Sequence, residues 1–379
     1  MDPFTASSPS FSDPPKLGPG HSLTKVDKLE FLILVDNNIE WFSKLPEGFS
    51  HELPQHLPRA PLDPITKVPL IDFEHYCCGA HGLSILLKTT VNGKEHQILL
   101  DAGPDGKTIE RNIEAMQVDL NKLDCLVLSH WHSDHSGGIP QVLSLRPPHH
   151  LPLRVDVHPD RPIRRGIAPP PTYIPIACLN PDPTFDQIKG LNGMVFQANS
   201  PHEVLGMNFD KTGVEVSGEV ERVTGFEKGI PGAVRWVDED GDKGWFTDEL
   251  IMDERYITVD VKGKGLVIFS PCSHAGICNV IIEAIKRHDR PIHMVVGGFH
   301  LVPSHSQPVA ETIDFLSNRI HPKPAYILPL HCTGMEARAK LLTEMGERCV
   351  CAGVGMKVVV MGNDDDERGL DELVVKVDL

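Results

Sequence analysis

A chain of 379 residues is long enough to bury a large core, as one large α/β domain or as two. Its 36 lysines and arginines against 52 aspartates and glutamates give a net charge of −16, which argues against general affinity for nucleic acid or an anionic membrane. No apolar run reaches the roughly 18 residues that cross a bilayer. The start lacks a secretory pattern and the nine cysteines lack C-x-x-C spacing, so we expect a cytoplasmic protein with reduced thiols.

The first half of the chain begins with a segment rich in proline, serine and glycine, residues 1–26, which we expect to be a disordered tail. Apolar runs and spacing then predict strands and one helix. The predicted strands are 29–35, 83–91, 95–100 and 123–128, and the predicted helix is 109–116. Asn92-Gly93 is typical of the turn of a hairpin, which argues against a purely parallel sheet.

In the second half, strands alternate with helices, which favours an α/β fold. The predicted strands are 256–261, 265–269, 292–296 and 325–328, and the predicted helices are 277–285, 309–320 and 335–345. Residues 147–247 are rich in proline and glycine, and we interpret them as a loop-rich insertion or cap within one catalytic domain, 27–362. In the C-terminal segment, 363–379, the acidic run 364–367 is predicted to be a solvated turn.

The segment SHWHSDHSGG, residues 129–138, carries the clearest chemistry. His130 and His132 are two apart in an extended segment, so their side chains project to one side. Two neutral imidazoles can hold one Zn²⁺-like ion at about 2.0–2.1 Å. Asp134 and His135 are adjacent and diverge, so they can serve a second ion or a bound water. A polar surface turn is the alternative, but four ligand-type residues in six at a strand end favour a metal site.

This H-x-H-x-D-H pattern after a short apolar strand resembles the signature of the metallo-β-lactamase fold superfamily. Other segments resemble one branch of it, named after the archaeal dihydropterin–ribofuranosyl-aminobenzene phosphate synthases. They are Asp101-Ala102-Gly103, LVDN at 34–37, HGLSILL at 81–87, CSHAGICN at 272–279, GGFHL at 297–301 and LHCTG at 330–334. The resemblance covers most of residues 29–360, and it implies an αββα sandwich with mixed sheets and a metal-dependent enzyme.

Two further histidines each follow a predicted strand and precede a predicted helix. By position, His274 resembles a third imidazole for the first ion, and His331 resembles the last histidine ligand of the superfamily. A helix-capping or buried histidine is the alternative for each. Because strand ends converge on one edge of a twisted sheet, ligands far apart in sequence can meet there. We therefore expect His130, His132 and His274 at the first position, with Asp134, His135 and His331 at the second.

One departure from the superfamily pattern concerns the acid that bridges two metals in many members. The corresponding stretch, residues 270–274, contains no carboxylate. Asp248 and Glu249 are substitutes, although such acids are more often solvated, and Cys272 could ligate as a thiolate, although a small buried cysteine is commoner. Zinc is therefore expected as one or two ions, with iron or manganese as alternatives.

Further roles are assigned to three residues. Asp134 is expected to orient the nucleophile and carry its proton. His300 ends an apolar strand, and a substrate contact or proton donor is weighed equally against a structural histidine. Asp101 is expected to orient a ligand imidazole, because ligating histidines usually donate their other N–H to such a partner.

A bound ion lowers the pKa of its water from 15.7 towards about 7, which makes hydrolysis the default chemistry. We predict a metal-dependent hydrolase of a small ester or lactone, with a small-molecule substrate and neither a nucleic-acid nor a membrane partner. Apolar residues of the cap suit a pocket wall, whereas Arg161, Arg164 and Arg165 would suit phosphate. The alternatives are a synthase-like enzyme of the named branch, a phosphoester hydrolase, a di-iron oxidoreductase and an inactive binding module.

Overall fold

The computed structural model describes residues 23–147, 150–239, 241–302, 307–371 and 374–377. Two mixed β-sheets pack face to face, and helices cover both outer faces. This arrangement confirms the predicted αββα sandwich. Among the described residues, no helix is both long and apolar enough to span a bilayer.

The strands are numbered along the chain. They are β1 (Lys28–Val35), β2 (Phe49–Ser50), β3 (Ser84–Val91), β4 (Lys94–Leu100), β5 (Cys125–Val127), β6 (Leu153–Val157), β7 (Arg164–Ile167), β8 (Ala177–Cys178), β9 (Gly193–Gln197), β10 (His202–Leu205), β11 (Lys211–Val216), β12 (Ala233–Glu239), β13 (Asp242–Thr247), β14 (Ile257–Val261), β15 (Gly265–Ser270), β16 (Ile292–Gly298), β17 (Ile320–His321), β18 (Tyr326–Leu330), β19 (Lys357–Met361) and β20 (Lys376–Val377).

The α-helices are numbered in the same way. They are α1 (Glu52–His56), α2 (Gly106–Met116), α3 (Ser133–Ser136), α4 (Ile139–Ser144), α5 (Phe185–Gly190), α6 (Ile277–His288), α7 (Gln307–Asp314), α8 (Met335–Met345) and α9 (Asp364–Asp371). A π-helical turn, Phe315–Arg319, continues α7. The predicted helix 309–320 therefore ends earlier, since Ile320 already belongs to β17.

The first sheet has eight strands in the order β2-β19-β1-β3-β4-β5-β6-β9, and the second has six in the order β10-β11-β14-β15-β16-β18. The core between them is apolar, and the rings of Phe31 and Phe269 meet edge-on at 5.1 Å across it. Helices α2 and α4 cover the outer face of the first sheet, and α6, α7 and α8 cover that of the second. Strands β4 and β5 are parallel, as are β15, β16 and β18, so loops after these strands gather at the site.

The interpretation of residues 147–247 as one loop-rich insertion is only partly right. Strands β6 and β9 extend the first sheet, and β10 and β11 extend the second. Only β7, β8, β12 and β13 form a separate four-stranded sheet, which caps the site. The prolines and glycines that interrupt this stretch mark turns between strands too short to show clear periodicity.

Two segments near the ends of the described chain also differ from the sequence interpretation. The predicted tail lies outside the described residues as far as residue 22, but Val26 is buried and bridges to Val261. The acidic run 364–367 begins helix α9 instead of forming a solvated turn. Its Glu367 forms ion pairs with Lys25 and Arg290, so this acid fastens the segment to the domain.

Candidate metal centre

Three imidazoles, carried by loops of both sheets, lie together where the sequence predicts the first metal position. His130 Nε2 lies 2.9 Å from His132 Nδ1 and 3.1 Å from His274 Nε2. Ligand nitrogens about 2.05 Å from a tetrahedral zinc ion are separated by about 3.3 Å. The three nitrogens therefore converge at nearly the spacing that one ion requires, and the structure brings together the predicted set.

The protonation state of these imidazoles also suits an ion. Burial lowers the pKa of His130 and of His274 well below the usual histidine value. Burial and the nearby Arg165 guanidinium lower the pKa of His132 to about 3. All three imidazoles are therefore neutral at pH 7, which is the form that ligates a metal.

The second metal position is formed around Asp134. Its Oδ2 lies 3.3 Å from His331 Nε2 and 3.8 Å from His135 Nε2, so the predicted trio is again together. His81 Nε2, 3.6 Å from the same oxygen, is an additional donor that the sequence analysis left without a role. Burial would lower the pKa of His135, but the carboxylates of Asp134 and Asp101 raise it to about 9. An ion bound here would take the place of that proton.

Hydrogen bonds to the Nδ1 atoms of His130, His135 and His331 fix which nitrogen of these three imidazoles faces the centre. Asp101 Oδ2 lies 2.7 Å from His135 Nδ1, as expected for an orienting acid, and Ser129 Oγ lies 2.9 Å from His130 Nδ1. Asn37 Oδ1 lies 3.0 Å from His331 Nδ1. Each contact leaves Nε2 free to meet an ion, which is the usual arrangement around a protein-bound metal.

Asp101→Asn is expected to lower metal affinity by about 10–100-fold, because His135 loses the carboxylate that orients it. The dissociation constant can be measured by competition with a chromophoric chelator. Asp186→Asn, which changes an acid that is 96% exposed, is the matched control and should leave the constant unchanged. Equal affinities for the two variants would contradict the orienting role.

A buried ion pair holds the peptide between the first two ligands. The Trp131 N–H donates to Asp253 Oδ2 at 2.7 Å, and Arg165 Nη1 donates to the Trp131 carbonyl at 2.6 Å. Arg165 also forms ion pairs with Asp253 and Asp248. Asp253 and Arg165 thus hold the backbone N–H and the carbonyl of Trp131. These contacts fix the spacing between His130 and His132.

Glu254 and Arg255, the two residues after Asp253, connect the loops that carry His130 and His274. Glu254 accepts hydrogen bonds from the His274 and Ala275 N–H groups, both at 2.7 Å, and burial raises its pKa to about 7. Arg255 donates from its backbone N–H to the Ser129 carbonyl at 2.9 Å. The sequence analysis missed this role of 253–255, although three consecutive charges directly before an apolar strand were a signal for it.

The acids and arginines that were candidates for metal or phosphate binding have other partners in the structure. Asp248 binds Arg165 and Glu249 accepts the Gly232 N–H, so neither acid lies at an ion position. The proposed phosphate role of the cap arginines is wrong for Arg165, which is buried between acids, and Arg161 donates to the carbonyls of residues 182 and 183. Charge clustering in the sequence did not reveal these partners.

The backbone is strained where the strands meet the centre. Asp101, Ser273, His300 and His331 have positive φ angles of 56°, 61°, 45° and 42°. Such left-handed conformations cost about 1–3 kcal/mol in non-glycine residues and cluster at functional sites. The Asp36 carboxylate supports one of them by accepting the His331 N–H at 2.6 Å.

A cavity of about 410 Å³ opens beside the second position. Its walls include His81, His300, His331 and Arg338, together with the exposed side chains of Val302 and Met335. The His300 ring lies 4.7 Å from that of His274, so His300 faces both the cavity and the centre. Burial, with His331 nearby, lowers the pKa of His300 to about 4, so at pH 7 it is neutral and donates through an N–H.

Comparison with known proteins agrees with this geometry. Residues 81–206 match the family model of the metallo-β-lactamase superfamily. The crystal structure of Tm1679, a metal-dependent hydrolase of the β-lactamase superfamily, aligns with a TM-score of 0.60 over 88% of this chain and 99% of that chain, at 17% identity. The chain therefore resembles the metallo-β-lactamase superfamily over residues 81–206 and shares its fold.

Two archaeal proteins match a larger part of this chain. One is the 7,8-dihydropterin-6-methyl-4-(β-D-ribofuranosyl)-aminobenzene-5′-phosphate synthase of Methanocaldococcus jannaschii, 27% identical over 70% of this chain and 85% of the synthase. The other, from the same organism, is the uncharacterised protein MJ0448, 27% identical over 69% of this chain and 87% of that protein. The resemblance to the branch named after these synthases is thus confirmed. The superfamily fold also implies binding of a divalent metal, for which the two positions above provide the donors.

Proposed function

We propose that this protein is a metal-dependent hydrolase of a small ester or lactone. The observation that carries the proposal is the convergence of three neutral imidazoles, the buried His130 and His274 and the partly buried His132, close to a cavity of about 410 Å³. A divalent ion in such a site supplies Lewis-acid polarisation and lowers the pKa of water towards about 7.

The residues around the ion positions support this chemistry. Asp134 is one-quarter exposed, and the imidazoles around it, His135 foremost, outweigh burial and hold its pKa well below the usual value. It is therefore ionised at pH 7 and can orient the attacking water by accepting a hydrogen bond from it. His300, neutral and at the cavity wall, is placed to donate a hydrogen bond to a substrate oxygen. The sandwich and cap keep most of the centre dry, which strengthens both interactions.

The substrate class follows from the cavity wall, where Arg338 is the only residue with a permanent positive charge among the described lining residues. Val302 and Met335 offer exposed apolar surface for an acyl or lactone ring. A neutral oxoester fits this mixed wall better than a polyanion does.

A second candidate is a synthase-like or phosphoester activity. The 27% identity to the archaeal synthase and the presence of Arg338 in the cavity favour it. Arg338 is held towards the cavity by hydrogen bonds from Nε to the Thr333 carbonyl at 3.0 Å and from Nη2 to the His331 carbonyl at 3.4 Å. A di-iron oxidoreductase has less support, because the stretch 270–274 provides no bridging carboxylate.

Lactones, aryl esters and phosphodiesters, each assayed with Zn²⁺, Mn²⁺ and Fe²⁺, separate these functions. We expect turnover of a lactone or aryl ester that a chelator removes and added metal restores. Faster turnover of phosphodiesters, together with inhibition by ribose 5-phosphate that Arg338→Met relieves, would favour the second candidate. Lack of turnover in every assay would rule out the hydrolase.

A further inference from the structure

The second metal position is bordered by two thiols from different strand ends. Cys272 follows β15 and is 3% exposed, whereas Cys332 follows β18 and is partly exposed at the cavity. Their Sγ atoms are 3.6 Å apart, and Cys272 Sγ lies 3.2 Å from His135 Nε2. Donor atoms of both cysteines and of His331 lie within 4.8 Å of one another.

These separations resemble the edges of a zinc coordination tetrahedron. With Zn–S of about 2.3 Å and Zn–N of about 2.05 Å, tetrahedral geometry places two sulfurs about 3.8 Å apart and a sulfur and nitrogen about 3.6 Å apart. The observed 3.6 Å and 3.2 Å are both slightly shorter. A small outward movement of these side chains would admit one ion among them.

The backbone at β16 leaves room for the second sulfur. A Cβ atom added to Gly298 would lie 2.5 Å from Cys332 Sγ and 2.5 Å from the Pro271 carbonyl oxygen. Any larger residue at 298 would therefore push Cys332 away from Cys272. Glycine at 298 is thus required both by the Pro271 carbonyl and by the Cys332 thiol.

We propose that Cys272 and Cys332 together bind the second ion as thiolates, with His331, in place of the missing bridging carboxylate. On binding, each thiol releases its proton to solvent and forms one sulfur–metal bond. Thiolate ligands select zinc, cadmium or cobalt over manganese and magnesium, which prefer oxygen. The inference rests on the proposed metal-dependent function and adds which metals the second position takes.

Cobalt binding to the full-length, reduced protein tests the thiolate pair directly, because sulfur–cobalt bonds give an intense near-ultraviolet charge-transfer band. Titration with Co²⁺ alone is expected to load both positions and to produce this band. Cys272→Ser and Cys332→Ser should each reduce the band by about half, because each thiolate contributes one sulfur–cobalt bond. Each variant should weaken the second cobalt by at least about tenfold. Cys178→Ser, at an exposed cysteine in β8, is the control.

The outcomes separate this inference from the proposed function. Binding of a single cobalt without the band, or an undiminished band in both serine variants, would overturn the thiolate site while leaving the first position intact. Only His132→Ala is expected to lose cobalt from the first position. If that variant kept its first cobalt ion, the assignment of the metal centre itself would be wrong. If Cys272→Ser does not fold, the partly exposed Cys332→Ser gives the deciding spectrum.

Discussion

His132→Ala is expected to abolish turnover while the protein remains folded. The substitution removes one of three imidazoles at the first position, and the remaining two hold a zinc ion poorly. Metal activation contributes several kcal/mol to transition-state stabilisation, and about 4 kcal/mol corresponds to a thousandfold in rate. We therefore expect kcat/KM for the best substrate to fall by about a thousandfold or more.

The fold should survive because His132 does not hold its own loop. Trp131 is fixed on both sides by Asp253 and Arg165, and these contacts do not involve the His132 side chain. Kinetics, metal content and far-ultraviolet circular dichroism should be measured on the same preparation. His75→Ala, at a histidine whose side chain is 78% exposed, is the matched control and should retain both metal and activity. Retained activity in His132→Ala would mean that the metal assignment is wrong.

Much of the metal centre could be predicted because its histidines lie in recognisable local sequence patterns. The spacing of His130 and His132 after a short strand indicates a shared direction regardless of the rest of the fold. His274 and His331 could be located because each lies between a strand and a helix, and parallel strands deliver such junctions to one edge. The structure places all of them at the expected edge.

The parts that could not be predicted depend on long-range pairing. The sequence analysis gave His81 and Cys332 no role at the second position, although Cys332 adjoins His331, and both approach it because separate strands meet there. Arg165 was misjudged because a cluster of arginines shows the charge of a segment and not its partners. In the structure those partners, Asp248 and Asp253, lie more than 80 residues away in the chain.

Loss of the Arg165 ion pairs is expected to have the largest effect on the stability of the fold. Arg165 and Asp253 are 3% and 0% exposed, and removing one partner of such a buried pair costs about 3–5 kcal/mol, because the other charge is left uncompensated. Arg165→Met is therefore expected to lower the free energy of unfolding by that amount. Arg235→Met, which breaks the partly exposed pair with Asp160 in the same cap, should cost no more than about 1 kcal/mol.

The dependence on pH distinguishes lost charge pairing from lost packing. In the native protein burial would raise the pKa of Asp253, but Arg165 holds it below the usual value, so the pair stabilises the fold at neutral pH and loses this effect as pH falls through that low pKa. Without Arg165, burial dominates and the pKa of Asp253 rises, so the variant regains stability when the acid is protonated. The difference between Arg165→Met and the native protein, measured by urea unfolding, should shrink from pH 7 towards about pH 4. A difference in the free energy of unfolding that stays constant with pH would mean that Arg165 acts through packing. The charge of Arg165 would then not help to hold the peptide between His130 and His132.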